Sequence, residues 1–160
     1  MDLPITPLRQ QLEAILHPAP GRCIRIDFDL AERAGLTIVE KRIPAVDEAQ
    51  NYKCAQFVFR TILAEHQLKS NSGFPHDLFD DPDTFLGKYN YHRVLVPSEG
   101  EVLAYVAVGE RYVQVKHMGI FKEGKVISKF GIGHIFRHDI GQVPLSYGEK
   151  VIFYARDERR

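Results

Sequence analysis

Cysteine is scarce in this chain. Cys23 and Cys54 are the only two among 160 residues, too few for a disulfide framework and without the spacing of a zinc site. A Cys23–Cys54 bridge would need an oxidising compartment. The opening MDLPITPLRQQLEAILHPAP has no basic segment followed by an apolar one, so no secretory signal is read there. No apolar run approaches the length of a membrane span. Net charge is missing too: 21 basic residues balance 21 acidic ones, which removes the footprint of general nucleic-acid or polyanion binding. There is no internal repeat and no low-complexity segment. Together these absences lead us to expect a cytoplasmic protein with no nucleic-acid partner and no membrane partner.

What remains is an ordinary globular composition, with 44% hydrophobic residues, enough for one substantial core. We read residues 1–160 as a single domain in which 1–50 form an N-terminal helix and strand extension. Leu8, Leu12, Ile15 and Leu16 repeat at helical spacing, which predicts a helix from about Thr6 to Leu16, ended by His17-Pro18-Ala19-Pro20-Gly21. Cys23–Asp29 alternates as a half-buried strand does, and Leu36–Ile43 predicts a second strand.

A helix is predicted from Asn51 to about Leu68, with Phe57, Val58, Ile62 and Leu63 turned to a core. Asn51 stands at the N-cap position, which leaves Cys54 in the first turn. A thiol there lies at the positive end of the helix dipole, which favours the nucleophilic thiolate. The competing reading of Cys54 is a small buried residue that starts a core helix.

Residues 69–91 are rich in Gly, Pro, Asp and Asn yet carry five aromatics. They read as a wall or lid over a site, with a short helix near Pro82–Leu86, or else as a crossover with its aromatics tucked into the core. Asp80, Asp81 and Asp83 do not have the spacing of a calcium loop. After them the chain turns to β, with strands at Arg93–Val96, Glu101–Val108, Tyr112–Phe121, Lys125–Phe130 and Lys150–Tyr154. Strands spaced so closely suggest a meander that closes into a small barrel. Helix first and antiparallel sheet second make an α+β domain.

His117 lies in Val115-Lys116-His117-Met118-Gly119-Ile120-Phe121, and Gly119 shares its strand face, which leaves room beside the imidazole. A lone strand histidine is otherwise a structural residue. With Glu123-Gly124 as a two-residue turn, Gly119 falls opposite Ser128, and Ser128 shares the face of His117. His134 and His138 follow a few residues on. Their spacing suits a helix face, but no Cys or carboxylate completes a tetrahedral metal site, so no metal and no cofactor is expected.

Cys54 at a helix start, then Pro97-Ser98-Glu99-Gly100-Glu101-Val102, then His117-Met118-Gly119-Ile120-Phe121, then Gly124-Lys125-Val126-Ile127-Ser128 resembles the NlpC-type branch of the papain-like cysteine peptidases. The tail Val143–Tyr154 also resembles that family, so the resemblance runs from Asn51 to Tyr154. It implies a papain-like fold, a Cys-led helix packed on an antiparallel, partly closed sheet. It implies a thiol hydrolase, a peptidase or amidase, acting on a peptide, amide or ester through an acyl-enzyme. In that scheme Cys54 is the nucleophile and His117 its general base. The third, orienting position falls to Ser128, a departure from the family's usual residues, or to His134 or His138. The Cys54 backbone N–H, with Asn51 or Tyr52, would supply the oxyanion or substrate contacts. The flanks Lys53 and Ala55-Gln56 depart from the family's pattern at the nucleophile. An acyltransferase on the same fold, or a non-catalytic binding module that keeps the cleft, are the alternative functions.

Overall fold

The computed structural model describes residues 1–16, 32–40, 54–65, 81–98, 101–110, 113–130 and 134–157. Its elements are α1 (Pro7–Leu16), β1 (Thr37–Glu40), α2 (Cys54–Glu65), α3 (Pro82–Gly87), β2 (Tyr91–Val94), β3 (Val102–Val108), β4 (Val113–Lys122), β5 (Lys125–Lys129), β6 (Ile135–His138), a 3-10 turn (Leu145–Tyr147) and β7 (Lys150–Arg156). The predicted strand at Cys23–Asp29 and the helix end near Leu68 lie outside the described residues, as do Asn51, Tyr52 and Lys53. Among the described residues no helix is long and apolar enough to cross a membrane.

Turn chemistry sets the strands. Glu123 and Gly124 take φ of 51° and 71°, the left-handed pair whose twist suits a two-residue hairpin. They fix the β4–β5 register at Ile120↔Ile127, Phe121↔Val126 and Lys122↔Lys125. Asp81 caps α3 by accepting the Thr84 N–H at 3.0 Å, with Pro82 in the first turn, so the predicted short helix forms where Asp-Pro-Asp-Thr directs it.

The strands pair antiparallel throughout, in the order β1-β6-β5-β4-β3-β7-β2. The domain is α+β, as expected. The sheet, however, is neither a plain meander nor a closed barrel among the described residues. Its order is linear, β7 lies between β3 and β2, and β6 is a strand that the sequence reading lacked.

Both faces of the sheet are covered, which explains why β3 reads as an unbroken apolar run. Leu103 and Tyr105 join one core with Leu3, Leu12, Leu36, Val126, Phe130, Phe136, Val143 and Phe153, beneath α1. Val102, Ala104 and Val106 join the other with Met118, Ile120 and Tyr154, beneath α2 and α3. On α2 the fully buried stripe is Ala55, Val58, Phe59 and Ile62, while Phe57 and Leu63 of the expected stripe lie at its margin. Phe59, Phe85 and Tyr89 pack edge-on or tilted, with centroids 5.3–5.8 Å apart. In the acidic segment Phe85 and Tyr91 are therefore core, with the partly buried Tyr89 packed against it, while Phe74 and Phe79 lie outside the described residues. Asp83 accepts from Arg93 Nε at 2.8 Å and from the Tyr154 hydroxyl at 2.8 Å, which ties α3 to β2 and β7.

Arg9 is the unexpected member of the first core. Its side chain is 1% exposed, and its guanidinium donates only to main-chain carbonyls: Val143 from Nε, Leu3 and Pro4 from Nη1, Pro144 and Gly148 from Nη2. Burial lowers its pKa. Five donors in a fixed fork suit this role, and lysine could not fill it. Gly148 has φ 104° and sits so close to β3 that a Cβ would overlap the Val106 carbonyl, so glycine is required there.

Replacing Arg9 by Met should leave these carbonyls unpaired and cost about 3 kcal/mol of stability, measured as a lower denaturant midpoint with an unchanged slope. Arg9→Lys should recover only a minor part of the loss.

Candidate functional site

Side chains alternate along a strand, and this alternation places His117. On β4, Met118 and Ile120 point to the core under α2. His117 is opposite Tyr105 in the β3–β4 register, and Tyr105 belongs to the core under α1. Cys54 is buried as the first residue of α2. The nucleophile and base suggested by the sequence therefore belong to opposite sides of the sheet, with β4 flanked by β3 and β5. The structure does not bring them together.

It does bring His117 and Ser128 together. His117 Nε2 and Ser128 Oγ are 2.9 Å apart, and Ser128 Oγ is 2.8 Å from His138 Nε2. The hairpin parity read from the sequence accounts for this: Gly119 lies across from Ser128, and a Cβ on Gly119 would stand 3.0 Å from the Ser128 Cβ. The space left by the glycine is filled by Ser128 and Val126. His138 rather than His134 completes the chain. β6 places His138 opposite Val126, on the face of Ser128, whereas the His134 ring lies against Phe136 at 6.1 Å. The two histidines share a strand parity, so only the β5–β6 register, which sets His138 beside Ser128, distinguishes them, and that register has no local signal in the sequence.

All three members are buried, His117 at 1% and Ser128 and His138 at 0% exposure. Aromatic rings enclose them. Tyr147 stacks on His117 at 4.1 Å and 18°, and Phe130 presents its edge to both histidines at 5.3 Å. The Tyr105 hydroxyl donates to the Ile140 carbonyl at 3.1 Å, and burial raises its pKa.

The hydrogen-bond directions follow from one contact. His138 Nδ1 lies 2.8 Å from the Asp139 carbonyl, which can only accept, so Nδ1 carries the hydrogen. In a neutral ring Nε2 is then an acceptor, so the Ser128 hydroxyl donates to it. Ser128 Oγ in turn accepts from His117 Nε2–H. One hydrogen lies in each link, all running toward Asp139.

Neutral rings are also what burial dictates. Desolvation holds His117 well below its usual pKa, helped by the neighbouring His138. Desolvation pushes His138 down to about 4, against the opposing pull of the Asp139 carbonyl and carboxylate. Among the described residues no three His, Cys, Asp or Glu side chains converge as a metal site. The chain of Ser128 and two imidazoles can hold and pass a proton, but it offers no exposed nucleophile.

Because both folded-state pKa values lie below the unfolded one, the unfolded chain binds more protons in mild acid. Stability should be complete above about pH 6.5 and fall as pH drops toward the folded value of His138, about 4. On its own, His138 should account for a loss on the order of 3 kcal/mol, read from denaturant titrations at several pH values. Ser128→Ala should cost about 2 kcal/mol at neutral pH by leaving both imidazole Nε2 atoms unpaired, with the α-helical circular dichroism unchanged.

No family model, no curated protein and no solved structure matches this chain.

Proposed function

We propose that this domain is a non-catalytic binding module built from elements that resemble an NlpC-type, papain-like hydrolase. One observation carries the reading: parity along β4 turns His117 into the core beneath α1 and Tyr147, away from the face that carries α2 and Cys54. A base serves a thiol only within hydrogen-bond reach of it. His117 is instead committed to Ser128, and an imidazole held neutral by burial does not form a thiolate–imidazolium pair.

A second reading, the cysteine hydrolase acting on a peptide, amide or ester bond, has one observation in its favour. Cys54 is the first residue of α2, where the helix dipole lowers a thiol pKa without help from histidine. An acyltransferase would draw on the same thiol.

Labelling the native protein with an iodoacetamide probe near pH 6, and mapping the modified cysteine by mass spectrometry, separates the two. The binding-module reading expects slow Cys54 labelling, unchanged in His117→Ala if that variant keeps its fold. Rapid labelling of Cys54 that collapses in His117→Ala would sink it and restore the hydrolase.

A further inference from the structure

We propose that the His117–Ser128–His138 chain is an acid-sensitive latch that holds the 3-10 turn and α1 against the sheet. This goes beyond the binding-module reading and does not depend on it. The latch is built from a site with one neutral hydrogen arrangement and, among the described residues, no acidic side chain in contact with either ring. Facing the two imidazoles are the Tyr105 phenol from β3, the Tyr147 ring from the 3-10 turn and the Phe130 ring after β5. At the His138 end lie the Asp139 carboxylate and the Lys125 ammonium, already joined to each other at 2.6 Å. Arg9, a further cation, interacts with Tyr105 from beyond it.

A proton can be added at either end of this chain. At His138 Nε2 it forms the imidazolium there, and Ser128 Oγ then accepts from both rings with its own hydrogen turned aside. At His117 Nδ1 it forms the imidazolium on that ring, or on His138 once the His117 Nε2 hydrogen passes to Ser128 Oγ and the serine hydrogen passes to His138 Nε2. Each product holds a buried cation with no carboxylate contact among the described residues, which is costly away from water.

Water reaches His117 if Tyr147 lifts from it, and the Ser128 link lets the charge settle on that ring. The strands around the pair are locked by the β4–β5–β6 ladders, whereas Tyr147 sits on a single short turn. That turn does not leave alone. Arg9 binds the carbonyls of Val143, Pro144 and Gly148, and Glu13 accepts the Ser146 N–H at 2.8 Å. Residues 143–148 and α1 thus lift as one strap, with Glu149, bonded to Val106 and Val108 of β3, as its fixed end, and protonation favours the lifted state because only there is the charge solvated.

Amide hydrogen exchange on the full chain from pH 7 to pH 4.5, corrected for intrinsic rates, tests this. The expected result is loss of protection in 143–148 and in α1 ahead of β3 and β4, by about tenfold per pH unit for one proton taken up on opening. In His138→Gln the loss should move to lower pH. Loss in step with β3 and β4, or an unshifted response in that variant, would overturn the latch. Should the variant not fold, imidazole nitrogen shifts of the wild type decide. The latch requires neutral rings at pH 7, protonated at Nε2 on His117 and at Nδ1 on His138, and any other pattern overturns it.

Discussion

Parity along β4 is the constraint on which the rest of this structure depends. A strand cannot turn two neighbouring side chains to the same face, so seating Met118 and Ile120 under α2 commits His117 to the other side. The β3–β4 irregularity between Tyr105 and Val106 lets Val115 rejoin the α2 core without disturbing that assignment. The contacts of His117 follow: Tyr105 from the neighbouring strand, Ser128 across the hairpin, Phe130 edge-on after β5 and Tyr147 from above. A residue whose sequence setting resembles a catalytic base becomes the centre of a closed polar network.

The cover over that network is held by a device of a different kind. Arg9 brings a positive charge under α1 and bonds it to carbonyls from both chain regions that pack there. A buried cation paired with carbonyl dipoles rather than a carboxylate gives directional holding without a second ion to desolvate. The turn that carries Tyr147 packs Val143 and Tyr147 against the core, and its position over His117 is further set by this fork and by the close approach that Gly148 permits. Polar bonds thus set the geometry while the apolar residues around them supply the burial.

How much could be read from the sequence depended on whether local chemistry decided the question. Turn and cap signals were local, so the β4–β5 hairpin, the Ser128 face and the helix at Asp81–Gly87 were all legible. Among the described residues the strands were legible for the same reason, although β2 starts at Tyr91 rather than Arg93. The exception is β6, whose Ile135–His138 sets an arginine and a histidine after two apolar residues and so shows no clear alternation. Which face α2 would cover was not legible. Leu103 and Tyr105 are as apolar as Val102, Ala104 and Val106, and pattern alone gives two faces without assigning the helix to either. Arg9 was missed because arginine on an amphipathic helix ordinarily lies in solvent. The position of β7 between β3 and β2 joins residues far apart in the chain, and no short-range signal encodes it.

The tight turn at Glu123-Gly124 carries a consequence for chain length. It is the shortest connection in the sheet, and its two left-handed residues count out the register of everything after it. One inserted residue would move β5 by a single step and exchange its faces. Ser128 would then leave His117 for the α2 side, while Ile127 and Lys129 would turn to the imidazoles. Polar and apolar positions on β5 would be inverted together, so a change that leaves every residue identity intact would undo the network. This loop is one whose length is bound to the interior, whereas a longer crossover would absorb an added residue at its surface.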